Sequence, residues 1–222
     1  MPKVERVSTG IKKLDKLIEG GLVKGSSTLI SGGAGTGKTI FCSQFIWEGL
    51  QNGETCLYIT LEETPKDIIQ DVVGFGWDFE KYAKSGKLMI EYKDPFKVTD
   101  ITTPLIEMIS SKKVQRVVVD STSMMGLYFQ NVFEVRKQLF KLLTGIKSAG
   151  ATSVVTSEIV DKDGLSRFGV EEFTTDGVMV LKSTSMGKET VKTLEVKKMR
   201  RTNIDGGTHT FDFNKNGIDL TD

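Results

Sequence analysis

Two rhythms of apolar and polar positions alternate along the chain. Short apolar runs of strand length recur as "STLISG" (27–32), "TCLYITL" (55–61), "KLMIEY" (87–92), "VQRVVVDS" (114–121), "ATSVVTSE" (151–158) and "DGVMVLK" (176–182). Between them lie longer segments with apolar residues three or four apart, the period of one helix face. "TIFCSQFIWEGLQNG" (39–53) sets Phe41 and Phe45, then Cys42, Ile46 and Leu50, near one stripe, with Gly53 as its stop. "TPKDIIQDVVGFGW" (64–77) opens a helix with Thr64 at the cap, Pro65 in the first position and Asp67 in the first turn. "TDITTPLIEMISS" (99–111) predicts a helix with Pro104 near its first turn or at a kink. "NVFEVRKQLFKLLTGIKSAG" (131–150) is the strongest helical pattern, through Val132, Val135, Leu139, Leu142 and Ile146. "VKTLEVKKMR" (191–200) and "HTFDFNKNGIDL" (209–220) are expected to pair antiparallel at a sheet edge, with "NKNG" (214–217) as a turn.

Strand–helix alternation predicts an α/β fold with a mostly parallel sheet, as one domain over residues 1–222. Ligands of such a sheet bind beyond the carboxyl ends of its strands. The unbroken apolar core of "RVVVD" predicts a strand covered on both faces. Composition is that of an ordinary globular protein, with 38% apolar and 27% charged residues. A net charge of +1 announces no global nucleic-acid face. Cys42 and Cys56 make neither a disulfide framework nor a zinc spacing. With no signal-peptide pattern in "MPKVERVSTG" and no run long enough to span a membrane, a cytoplasmic setting is expected. The one histidine, His209, reads as a strand-surface imidazole beside Phe211 and Phe213.

"GGAGTGKT" (32–39) has the P-loop spacing, between a predicted strand and a predicted helix. Backbone N–H groups of such a loop wrap phosphates, and the helix N-terminus adds its positive end. Gly33, Ala34, Gly35, Thr36, Gly37, Lys38, Thr39 and Ile40 are the expected ATP-binding residues. Lys38 would neutralise the β/γ-phosphates, while the Thr39 hydroxyl and Asp120 would serve Mg²⁺. "ITLEET" (59–64) ends a strand on the phosphate side with two carboxylates. Strand alternation sends Glu62 and Glu63 to opposite faces, so one of them meets the γ-phosphate and can polarise the attacking water. Glu62 is the expected base, with Glu63 in support.

The chain resembles the KaiC-like ATPases of the RecA superfamily nearly end to end, including archaeal RadA-paralog-like members. The likeness rests on "VSTGIKKLDKLIEGGLVKGS" (7–26), "EETPKDII" with "GFGWD" (74–78), "VEEFTTDGVMVL" (170–181) and "VKKMRRTN" (196–203). It implies a RecA-like core that binds ATP at subunit interfaces of a homo-oligomer, often six-membered. It also implies that Lys198 and Arg200 act in trans on a neighbour's γ-phosphate. Two apart on a strand, they would project from the face that carries Leu194 and Val196. The family often has Gly at the position of Arg201 and His at that of Ile204, which puts base or ribose contacts there in question. Clock members carry a Ser-Thr pair where this chain has Glu172 and Phe173, so clock-type autophosphorylation is not expected.

Two clients fit the ATPase reading. A repair accessory would bind single-stranded DNA or a recombinase through "STSMMGLYFQN" (121–131) and "DKDGLSRFGVEEF" (161–173). Tyr128 and Phe129 could stack on bases there. The second stretch has Lys162 and Arg167 against Asp161, Asp163, Glu171 and Glu172, a poor balance for phosphate contact. The best basic cluster is Lys192, Lys197, Lys198, Arg200 and Arg201. The alternative is a signalling or assembly ATPase that acts on a protein partner.

Overall fold

Residues of alternating parity along the strands feed two apolar layers, one on each side of a central sheet. The computed structural model describes residues 4–94, 102–127, 129, 131–160, 164–187 and 189–221. A short antiparallel pair, β1 (Arg6–Val7) and β2 (Leu22–Val23), brackets α1 (Lys12–Leu17). There follow β3 (Ser27–Gly32), α2 (Lys38–Gln51), β4 (Cys56–Thr60), α3 (Pro65–Asp71), α4 (Phe79–Lys84), β5 (Leu88–Tyr92), α5 (Thr102–Lys112) and β6 (Arg116–Asp120). The chain continues through α6 (Val132–Ser148), β7 (Thr152–Glu158), α7 (Glu171–Thr174), β8 (Gly177–Met186), β9 (Glu189–Met199), β10 (Thr208–Asn214) and β11 (Gly217–Leu220).

The large sheet runs β11-β10-β9-β8-β3-β7-β6-β4-β5. From β8 to β5 it is parallel, and β9, β10 and β11 extend it antiparallel, as the alternation predicts. Leu29, Leu57, Val117, Val119 and Val155 face α5 and α6. Ile30, Tyr58, Val118, Val154 and Met179 face α2. Each fully buried side chain of this size contributes about 1.5–3 kcal/mol, and both layers are continuous. α3 starts as expected, with a Thr64–Asp67 capping box and Pro65 at its first position. It stops at Asp71, earlier than the periodicity predicts, because a 3₁₀ turn at Val73–Phe75 and a left-handed Gly76 break the pattern. α4 follows, capped by Asp78, a helix too short to give a periodic signal. The expected helix at 99–111 is present as α5 with Pro104 in its first turn, and 99–101 lie outside the described residues.

One ion stands out in the core. Arg116 is 1% exposed. Its guanidinium meets Glu54 at 2.6 and 3.2 Å and donates to the carbonyls of Ser8 and Phe45, each at 2.8 Å. It also lies 4.7 Å from the centre of the Phe45 ring. A Cβ on Gly49 would come within 2.5 Å of the Arg116 side chain, so α2 has a glycine where the arginine passes. Truncation would leave two buried carbonyls and a carboxylate without their donor. Arg116→Ala is expected to cost about 3–5 kcal/mol, read as a lowered urea midpoint at unchanged slope.

Candidate functional site

The loop from β3 to α2 is shaped by its backbone. Gly37 has φ 103°, and a Cβ there would lie 2.5 Å from the Phe213 ring. Among the described residues no side chain caps α2, so its first N–H groups stay open to a ligand. The Thr36 hydroxyl donates to the Gly33 carbonyl at 2.9 Å. The Lys38 amine spans the loop, donating to the carbonyls of Gly32 and Gly33 at 3.0 and 2.9 Å.

Asp120 closes β6 beside this loop. Its carboxylate accepts from the hydroxyls of Thr39 (3.0 Å), Tyr58 (2.8 Å) and Thr156 (2.5 Å). Burial, with the Asp120 charge next, pushes the Tyr58 phenol well above its usual range, so it stays a donor. Thr39 and Asp120 offer hydroxyl and carboxylate oxygen, the donor chemistry Mg²⁺ prefers. Among the described residues no group of three or more His, Cys, Asp or Glu could hold a metal by itself. The fit is therefore to an ion shared with phosphates.

Glu62 and Glu63 do not follow strand alternation. β4 ends at Thr60, whose hydroxyl accepts from the N–H of Glu63 (3.0 Å) and donates to its carbonyl (2.8 Å). That bend aims the two carboxylates apart. Glu62 is exposed and accepts a short hydrogen bond from the Ser121 hydroxyl. Glu63 is half-buried, and one of its carboxylate oxygens has no hydrogen-bond partner among the described residues. Burial, then the charges of Asp71, Asp120 and Glu62, raise its carboxyl above the usual range.

These parts meet in one cavity of about 390 Å³. Of the expected residues it is lined by Ala34, Gly35, Gly37, Lys38, Thr39, Ile40, Glu62 and Asp120. Gly33 and Thr36 line a second cavity on the other side of the loop. Glu63 is absent from both linings. The first cavity also gathers Asp71, Ser121, Glu158 and Phe213, none of which the sequence reading picked out as part of the site. Phe213 arrives from β10, more than 170 positions beyond the P-loop, through a strand pairing that no local pattern encodes. Ser121 and Glu158 were within reach of a simpler signal, since each follows or ends a strand whose carboxyl end faces the site.

Lys198 and Arg200 are elsewhere. A bulge between Val178 and Met179 breaks the register of β9, so the shared face predicted from Leu194 and Val196 does not continue. Lys198 turns inward and donates to the carbonyls of Glu172 (2.8 Å) and Thr175 (2.6 Å). Burial, then the Arg200 charge, lowers its ammonium below the usual range. Arg200 lies past the strand end, exposed, 3.5 Å from Asp176. Met199 pairs with Gly177, and Gly177 with Thr28. Thr28 is four residues before Gly32, so the basic tip stands about 13 Å along the sheet from its own P-loop. Tyr128 and 161–163, named for DNA contact, lie outside the described residues. Phe129 packs against the core formed with α5 and α6, which takes it away from base stacking. Arg167 is paired with Glu158 at 2.6 Å. His209 lies half-buried in β10, away from the cavity lining.

A parallel sheet with a P-loop at its carboxyl edge, an aspartate on the adjoining strand and antiparallel extension strands define a nucleotide-binding ATPase core of RecA type. Residues 7–222 match the family profile "ATPase: KaiC", and the chain belongs to that family. The circadian clock oscillator protein KaiC of Parasynechococcus marenigrum is 34% identical over 230 residues, covering 98% of this chain and 45% of the relative. That of Acaryochloris marina is 34% identical over 98% of this chain and 44% of its own length. The chain thus spans a little under half the length of these relatives. The crystal structure of a KaiC-like protein from the archaeon Pyrococcus horikoshii superposes with TM-score 0.90 at 36% identity, covering 99% of this chain and 100% of that one.

Gly37→Ala tests the loop. The new methyl meets Phe213 and forces a left-handed alanine. A loss of nucleotide affinity of at least about tenfold is expected, equivalent to about 1.4 kcal/mol, measured by anisotropy of a fluorescent ATP.

Proposed function

We propose that this protein is a Mg²⁺-dependent ATPase that hydrolyses ATP at sites completed by a second copy of the chain. The observation that carries this reading is the charge of the cavity. Among its described lining residues Lys38 is the one cation, with Lys192 at the Gly35 carbonyl beside it, against Glu62, Asp71, Asp120 and Glu158, the last of them paired with Arg167. A triphosphate brought there needs Mg²⁺ and further positive charge. Lys198 and Arg200 supply such charge, and their distance from their own loop favours delivery across an interface, as arginine fingers do.

Roles then follow from position. Open N–H groups of the loop and Lys38 bind the β- and γ-phosphates. Thr39 and Asp120 would hold Mg²⁺, which would supply charge shielding for the phosphates. Glu62 orients a water in line with the γ-phosphorus and takes its proton as the bond to ADP breaks. Ser121 steadies that carboxylate through its hydrogen bond. Phe213 offers an apolar wall to the nucleotide.

For the client, a protein partner is favoured over single-stranded DNA. Phe133 and Phe140 are 72% and 61% exposed, seven residues apart on α6, and leave an apolar ridge of the kind that docks protein. The two aromatic and basic features described in the DNA-directed loops, Phe129 and Arg167, are engaged within the chain. ATP turnover is therefore expected to be unchanged by single-stranded DNA. Stimulation that fades across a salt series would restore the repair reading.

Glu62→Gln is expected to keep ATP binding and to lose turnover by about 10²–10⁴-fold. Unchanged turnover would remove Glu62 from the reaction. Lys38→Ala and Arg200→Ala are each expected to be inactive alone, and an equimolar mixture to regain part of the activity. A mixture as inactive as its components would exclude composite sites.

A further inference from the structure

Asp120 is 9% exposed, and hydroxyls from three separate elements converge on its carboxylate. A carboxylate has about four acceptor positions. Oδ2 takes Thr39 and Tyr58, at 3.0 and 2.8 Å, and Oδ1 takes Thr156 at 2.5 Å. One position is left for a metal-bound water.

Strand register makes this arrangement. β4 and β7 flank β6 on either side. Thr60 pairs with Asp120, and Val118 with Val154, so Thr156 falls level with Asp120 and Tyr58 one diagonal step away. All three side chains have even parity and face α2, where Thr39 begins the helix. Tyr58 and Thr156 are each 0% exposed, and neither hydroxyl has another acceptor among its described hydrogen bonds. Thr39 differs, because its oxygen would also ligate the metal, through a lone pair that its bond to Asp120 leaves free.

We infer that Tyr58, supported by Thr156, is a positioning residue that sets the Mg²⁺ affinity of the nucleotide site. The inference rests on the Mg²⁺-dependent reading above. Thr39 can keep its hydrogen on Asp120 while an oxygen lone pair meets the ion, but only if the carboxylate stays where it is. Tyr58 on Oδ2 and Thr156 on Oδ1 fix it there, so that its free lone pair would point at the metal's water shell. Without Tyr58, Oδ2 is held by Thr39 alone, the residue that would also serve the metal, and the carboxylate is less firmly oriented. Packing alone does not require this hydroxyl, because phenylalanine fills the same volume.

The test is calorimetric titration of the full chain with an imido-bridged, non-hydrolysable ATP analogue over a Mg²⁺ series. Tyr58→Phe is expected to bind the analogue without Mg²⁺ within about twofold of the parent. The Mg²⁺ concentration for half-maximal tightening is expected to rise about tenfold, the loss of one hydrogen bond to a charged group. Thr156→Val, which acts on the other oxygen, is expected to shift the same curve in the same direction. Electron paramagnetic resonance of Mn²⁺ in the ternary complex gives a second readout, with weaker Mn²⁺ retention in both variants. An unshifted Mg²⁺ curve, or an equal loss of binding with and without Mg²⁺, overturns the inference and leaves a purely structural tyrosine. If Tyr58→Phe does not fold, Thr156→Val decides by the same criteria. A parent protein indifferent to Mg²⁺ would instead overturn the Mg²⁺-dependent reading itself.

Discussion

The even-numbered face of β6 is the constraint on which the rest of the molecule depends. Arg116, Val118 and Asp120 all point at α2. At one end the arginine ties the strand to the Phe45 carbonyl in the body of the helix, and to Glu54 beyond it. At the other end the aspartate accepts from Thr39 in the first turn of the same helix. Buried polar groups of this kind are costly unless every partner is present. A sliding or rotating helix would break both ends at once. The P-loop inherits this fixity, because Gly37 caps and Lys38 begins the helix that both ends of β6 hold in place.

The site has a divided character as a result. One half is the backbone of the P-loop, with Lys38 bonded to its carbonyls. The other half is carboxylate, set on a bend that Thr60 fastens. Lys192 of β9 also reaches the loop, donating to the Gly35 carbonyl at 3.0 Å, whereas Lys198 and Arg200 stand towards the other end of that strand, with Lys198 on the carbonyls of Glu172 and Thr175. Glu171, 0% exposed, holds the approach to α7 through the hydroxyls of Ser157 and Ser166. Lys198 is thus held on backbone, while Arg200 beside it is exposed and lies 3.5 Å from Asp176.

What could be read in advance was whatever local rules govern. The P-loop, Asp120, the parallel order and the edge hairpin follow from periodicity, turn residues and one motif. Failures came where a single residue alters the local geometry. The bulge near Lys198 broke a parity argument, and the Thr60 bend replaced strand alternation at Glu62 and Glu63. Phe213 was hidden because its place depends on the pairing of distant strands. Arg201 shows the opposite case. Its φ is 59°, a left-handed conformation in which glycine is free and arginine is strained. A glycine would take this backbone shape without strain, and Arg6 donates to the Arg201 carbonyl at 2.9 Å.

The separation between the P-loop and the basic tip has a consequence for how such an enzyme behaves in bulk. On the reading proposed above, a lone subunit holds half of each of two sites and the whole of none. Specific activity then becomes a function of protein concentration, low when dilute and rising towards a plateau as copies associate. The quantity of the chain, and not only its state, becomes a control variable.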